Sequence, residues 1–141
     1  MNDHDKTLQV GVKAFLKNTE GKFLFVHRSS EKYPDVVGRW DIVGGRIHPG
    51  KPLMENLARE IREETGLELF GIPKLVAAQD IFRSAGYHIV RLTFVGEARG
   101  EVRLDMSEHN AYRWYTTEEL KKCDDIDVYV KELLHDPVLK L

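Results

Sequence analysis

Arg59-Glu60-Ile61-Arg62-Glu63-Glu64-Thr65-Gly66-Leu67 places acids where an amphipathic helix should carry its apolar face. At about 100° per residue, with Glu60 set at zero, Leu53, Leu57 and Ile61 fall at roughly 20°, 60° and 100°, and Glu64 falls near 40°. Glu64 is therefore expected to point into the body of the protein. Glu60 lies at the edge of the same arc and Glu63 roughly 60° beyond it, so three carboxylates share one flank. Like charges at i,i+4 cost an isolated helix about 0.2–0.5 kcal/mol per pair, and partial burial adds a larger penalty unless a cation is close.

Arg59 and Arg62 are one source of that positive charge. The other is a divalent cation such as Mg²⁺, which prefers convergent carboxylate oxygens completed by water and phosphate. A solvated, salt-bridged helix face is the plain alternative. The position of Glu64 among core residues weighs against it, as do the glycines on either side of the helix.

Outward from this stretch, Pro52 suits the first helical position, Leu53, Leu57 and Ile61 recur at helical spacing, and Gly66 stops the helix. Upstream, Leu8 to Leu16 alternate through Val10, Val12 and Ala14. Asn18 to Gly21 then supply a turn before Phe23-Leu24-Phe25-Val26, which reads as a hairpin. Arg28 to Arg39 are polar and read as a surface loop, followed by a short strand at Trp40 to Val43 that the Gly44-Gly45 pair ends. Those glycines would let backbone groups approach a phosphate or metal closely, although an ordinary turn uses the same pair. Downstream, segments around Leu75 to Phe82, His88 to Val95 and Tyr112 to Tyr115 read as strands. Thr117 to Lys122 and Val128 to Leu134 read as short helices before a tail with Pro137. There is no repeat, low-complexity tract or linker. The order predicts an α+β or mixed α/β fold with a largely antiparallel or mixed sheet, in a single domain over residues 1–141.

A chain of 141 residues, 42% hydrophobic, can bury a core without staples. The near balance of 21 Lys+Arg against 23 Asp+Glu argues against a nucleic-acid partner. Cys123 is the one cysteine, so no internal disulfide can form and a reducing compartment is expected. The first twenty residues have neither a signal-peptide pattern nor a membrane-length apolar run, which predicts a cytoplasmic location without membrane association.

Gly45 followed by Arg59 to Leu67 resembles the Nudix box, G-x5-E-x7-R-E-U-x-E-E-x-G-U with U aliphatic, and the second half of the box matches at every position. The resemblance implies a Nudix-like αβα sandwich with a mixed sheet and a catalytic loop-helix-loop. It further implies an Mg²⁺-dependent hydrolase, with Mn²⁺ as an alternative ion, that cleaves a phosphoanhydride bond in a nucleoside triphosphate or other nucleoside diphosphate derivative. Glu60, Glu63 and Glu64 would then hold the metal, with the Gly44 carbonyl joining them, and Arg59 would orient the glutamates. Water would be the nucleophile, activated and aligned by the metal.

The departure is Lys51, which stands where the box carries its first glutamate, with seven residues between it and Arg59. A lysine there repels the arginine that the family's glutamate braces. Glu55, four residues before Arg59, is the expected replacement partner. The alternative function is a catalytically weak nucleotide-binding module on the same fold. An isoprenoid isomerase would need a cysteine in the pocket, and Cys123 falls in the late helical segment.

Glu108 and His109, just before the strand at Tyr112, form a second candidate element. Glu108 lies six residues before Trp114, similar to the late glutamate of family members that cleave oxidised guanine triphosphates. His109 is a candidate base, with Glu108 preferred as the catalytic residue and a solvated loop pair as the bland reading. Arg28, Arg39, Arg46 and Trp40 are candidate substrate-binding residues, although Trp40 and Phe82, as aromatic residues in strands, suit a core better. Specificity is expected to reside between Ser29 and Arg39 and between Arg83 and Tyr87. The partner is a small nucleotide, and a homodimer is compatible with the sequence.

Overall fold

The computed structural model describes residues 5–33, 38–139 and 141. Strands β1 (Thr7–Lys17), β2 (Phe23–Arg28), β3 (Trp40–Asp41) and β4 (Val43–Arg46) precede helix α1 (Leu53–Thr65). The long strands β5 (Glu68–Ile81) and β6 (Tyr87–Arg99) follow, then β7 (His109–Tyr115) and the short helices α2 (Thr117–Lys122) and α3 (Val128–Leu134). The sheet runs β3-β2-β1-β6-β5, with β4 pairing to β1 and β7 to β2. It is mixed, as expected: β1 and β6 are parallel from Thr7↔Tyr87 to Lys17↔Glu97, and the other pairings are antiparallel.

Alternation along β1 and β2 divides the interior into two cores. Val12, Ala14, Leu16, Leu24 and Val26 face Leu57 and Ile61 of α1. Phe15, Phe23 and Phe25 point the other way, onto Leu120, Val130 and Leu133 of α2 and α3. The sheet is thus covered on both faces. This explains why β2 reads as a continuous apolar run and not as an alternating one.

Several boundaries differ from the sequence reading. Gly44-Gly45 does not end a strand: the chain steps from β3 on β2 to β4 on β1, where Lys13 pairs with Gly44 and Val12 with Gly45. A Cβ on Gly44 would lie 2.0 Å from the Val12 carbonyl oxygen, so this pairing itself requires glycine. The expected hairpin between the first two strands reduces to one pair, Lys17↔Phe23, because β4 takes the rest of that edge. β5 begins at Glu68, and its register shifts between Phe70 and Lys74 across a Gly71-to-Pro73 interruption that hid the strand's first half. β7 likewise begins at His109, ahead of the apolar Tyr112 segment.

Helix α1 follows the expected periodicity, with one shift of phase. Leu57, Ile61 and Glu64 are buried, and so are Asn56 and Thr65, whereas Leu53 is exposed in the first turn. Pro52 is the N-cap and not the first helical residue. Gly66 terminates the helix at φ 73°, donating its N–H to the Arg62 carbonyl, a conformation that glycine adopts without a Cβ penalty. No helix among the described residues is long and apolar enough to cross a membrane.

Candidate metal and phosphate site

Glu64 is 8% exposed and accepts a hydrogen bond from the Gly44 N–H at 3.1 Å, which ties α1 to β4. Burial is the main reason its carboxyl is pushed up to about 8; Lys13 and the Gly44 N–H act in the opposite direction, and Glu60 and Glu108 add to the rise. Glu60 is half-buried against Gly45, where a Cβ would lie 2.7 Å from its Oε2. Burial also raises the Glu60 carboxyl. The second glycine of the pair is therefore the space in which Glu60 sits.

Arg59 contacts both outer carboxylates through Nη1, Glu60 at 3.0 Å and Glu63 at 3.1 Å, with Glu63 largely exposed. Its Nη2 donates to Asn56 Oδ1 at 3.1 Å. The expected Glu55–Arg59 pair is not formed, because Arg59 turns toward Asn56, Glu60 and Glu63. Asn56, 1% exposed, holds the whole turn: Oδ1 also accepts the His48 N–H at 2.7 Å, and Nδ2 donates to the Lys51 and Pro52 carbonyls. Lys51 thus contributes its backbone carbonyl here, and its side chain is exposed.

Glu108 and His109 reach Glu64 through backbone bonds at the end of α1. The Arg103 N–H donates to the Thr65 carbonyl at 2.6 Å and the Asp105 N–H to the Glu64 carbonyl at 3.2 Å, satisfying carbonyls that a helix end leaves open. A turn held by Asp105 then brings Glu108 and His109 back, with both backbone N–H groups donating to the Asp105 carbonyl. One donor atom each from Glu64, Glu108 and His109 lies within 4.8 Å of the other two. The Glu108 carboxylate is also paired with Lys32 at 2.6 Å. His109 is buried, and that burial, helped by Lys13, lowers its imidazole to about 4.

Beside this cluster lies a cavity of about 340 Å³ whose walls include Lys13, Arg28, Arg46, Arg83, Arg91 and Glu64. Five of those six are cationic. Four of these cations are held on two acids: Asp41 pairs with Lys13 at 2.5 Å and with Arg28, and Asp127, which caps α3, pairs with Arg28, Arg83 and Arg91. Burial alone would raise the Asp41 carboxyl, but Lys13, Arg28 and Arg91 hold it far below the usual range. Burial lowers Lys13.

The sequence-derived substrate residues separate here. Arg46 stands exposed at the cavity rim, over the Tyr87 ring at 4.5 Å. Arg28 reaches the cavity but is committed to Asp41 and Asp127. Trp40 packs edge-on to His27 and Tyr115 against the second core, and Arg39 donates to the Arg28 carbonyl; neither lines the cavity. Tyr33, Arg83 and Ser84 bring both expected specificity segments to the wall, although residues 34–37 of the first lie outside the described residues. Lys13, Arg91, Asp41, Asp127 and Asn56 escaped the sequence reading. A signal existed for two of them: Lys13 shares its strand face with buried Phe15, and Arg91 interrupts the apolar run of β6.

A model of the NUDIX domain matches residues 7–136. The chain belongs to the Nudix family. Among its Nudix relatives, a Mycobacterium tuberculosis protein with the provisional name 8-oxo-dGTP diphosphatase 2 is 33% identical over 91 residues, 64% of this chain and 63% of that protein. The match thus spans less than two thirds of that relative. The CTP pyrophosphohydrolase of Escherichia coli is 29% identical over 110 residues, 78% of each chain. The crystal structure of a MutT protein from Methanosarcina mazei superposes with a TM-score of 0.76 at 26% identity, covering 91% of both chains. The Nudix fold, a mixed sheet between helices, is thereby shared with a solved MutT structure.

Proposed function

We propose that this protein hydrolyses a phosphoanhydride bond in a nucleoside triphosphate or another nucleoside diphosphate derivative, with water as nucleophile and Mg²⁺, or Mn²⁺ in its place, as the metal. The observation that carries this reading is the junction of the Glu60–Glu63–Glu64 flank with a cavity lined by five cationic side chains. Carboxylates on one side suit a divalent cation, and ammonium and guanidinium groups on the other suit the phosphates that such a cation accompanies. The residues present fit the ion: Glu64 is a buried carboxylate with Glu108 close by, and Glu60 occupies a cradle that a Cβ at Gly45 would fill. Glu60, Glu63, Glu64 and Glu108 would hold it, and when bound it supplies charge neutralisation of the phosphate oxygens and acidification of a bound water.

The chain's own groups do the remaining work. Lys13 and Arg91, fixed by Asp41 and Asp127, present preorganised positive charge to the phosphoryl oxygens, so little reorganisation accompanies the transition state. Arg46 at the rim receives the outer end of the substrate. Arg59 keeps Glu60 and Glu63 in register, and Asn56 keeps Arg59 in place. The names of the relatives, a CTP pyrophosphohydrolase and a provisional 8-oxo-dGTP diphosphatase, favour nucleoside triphosphates as the first class to try. A single domain in the cytoplasm is part of the same reading.

Turnover in ¹⁸O-labelled water tests the chemistry: one labelled oxygen is expected in one phosphate product of each cleavage. Products free of label would overturn water as the nucleophile. The binding-module reading is favoured by one observation, the engagement of Glu60 and Glu63 by Arg59; it requires metal-dependent nucleotide binding without turnover.

A further inference from the structure

We propose that His109 supplies an imidazole nitrogen to a divalent-cation site completed by Glu64 and Glu108, which would make this a mixed nitrogen–oxygen site suited to Mn²⁺, Co²⁺ or Zn²⁺ over Mg²⁺. The inference rests on the hydrolase reading for the presence of an ion beside Glu64, and goes beyond it in naming a nitrogen ligand.

Two observations meet at this point. One donor atom each from Glu64, Glu108 and His109 falls within a 4.8 Å triangle. Donors bound to one ion at about 2.1 Å stand about 3 Å apart in cis and about 4.2 Å apart in trans, so a small inward movement closes the set. Independently, His109 is 7% exposed, lines the cavity, and its Nδ1 is buried without a hydrogen-bond partner in the protein. Nearly every buried polar atom in a folded protein is partnered. A cation beside Glu64 and Glu108 gives this imidazole a reason to be there.

The position is also built and not incidental. The His109 N–H donates to the Asp105 carbonyl, the Asp105 N–H donates to the Glu64 carbonyl, and the Ser29 N–H donates to the Glu108 carbonyl. The backbones of all three proposed ligands are therefore cross-linked to one another or to Ser29, the residue that follows β2. Imidazole nitrogen adds strongly to affinity for Zn²⁺ and Co²⁺, less to Mn²⁺ at the foot of the same series, and least to Mg²⁺, which favours oxygen and water. The expected consequence is an order of metal affinity that an all-carboxylate site would not give.

The test is pulsed EPR on the full-length protein loaded with one equivalent of Mn²⁺. Wild type is expected to show ¹⁴N modulation from a directly bound imidazole, and His109→Gln to lose that modulation while Mn²⁺ stays bound through the remaining glutamates, with a larger loss of affinity for Co²⁺ and Zn²⁺ than for Mn²⁺. Bound Mn²⁺ without nitrogen coupling in wild type overturns the proposal, even if the variant fails to fold. Coupling that survives in a folded His109→Gln overturns it as well. Mg²⁺-dependent turnover with no nitrogen ligation would remove this inference alone, whereas nitrogen ligation without turnover on any nucleotide would remove the hydrolase reading alone.

Discussion

Glu64 shares its helix face with Leu57 and Ile61 yet carries a carboxyl raised to about 8, faced by Lys13, Glu60, Glu108 and the Gly44 N–H. A carboxyl whose folded value lies above its unfolded one contributes stability that is full below about 4.5 and lost as pH rises toward 8. His109, lowered to about 4, has the opposite slope between there and its ordinary 6.5. The window from about 6.5 to 8 therefore isolates Glu64. In metal-free buffer, the melting temperature of wild type is expected to fall across that window and that of Glu64→Gln to stay flat; parallel curves would contradict the assignment. The buried acid Asp41 tests the cavity floor. Removing its charge strands Lys13 and leaves Arg28 on Asp127 alone, so Asp41→Asn is expected to cost about 3–5 kcal/mol in urea unfolding. These two carboxylates differ in how far sequence discloses them: Glu64 betrays itself by its phase on one helix, whereas the partners of Asp41 come from β1 and β2 and no local pattern announces them.

Helix α1 and the segments packed on its two ends make the site. At its N-terminal end Asn56 makes four hydrogen bonds that hold the Lys51 turn and Arg59. Asn56→Ala is expected to destabilise by about 1–3 kcal/mol and to lower kcat, because Arg59 loses its anchor. Glu55→Gln, by contrast, is expected to stay within about 0.5 kcal/mol of wild type with unchanged turnover. Equal effects of the two would restore Glu55 as the partner of Arg59. On its β4 flank, Gly45→Ala drives a methyl into the Glu60 carboxylate; loss of activity with a near-native melting curve is the expected result. The helix was legible because its signals are local: apolar phase, Pro52, Gly66 and the spacing of the box. β4 was not, since two glycines carry no strand propensity and only the free edge of β1 makes them a strand. The first half of β5 was hidden for a related reason, because Gly71 and Pro73 interrupt its pattern while β6 supplies the pairing.

Over the whole molecule, β1 is the organising element. It borders β2, β4 and β6, divides its side chains between the two cores, and delivers Lys13 to the cavity. The fold class could be read from element order and the sandwich from the family resemblance, but the cationic wall could not. Lys13, Arg83 and Arg91 are far apart in sequence and meet only because β1 and β6 run parallel and α3 presents Asp127 beneath them. Glu108 came within reach of the sequence reading only through the family resemblance; its place beside Glu64 depends on backbone bonds from Arg103 and Asp105 to the end of α1. On the proposed reading, this junction of carboxylates and cations performs metal-dependent cleavage. Its most direct test is hydrolysis of a panel of nucleoside triphosphates, nucleotide sugars, ADP-ribose and dinucleoside polyphosphates, with and without Mg²⁺ or Mn²⁺, by wild type and Glu64→Gln. Turnover of at least one nucleotide class is expected, vanishing without metal and falling about 100-fold or more in the variant. Metal-independent turnover, or turnover unchanged in Glu64→Gln, would contradict it.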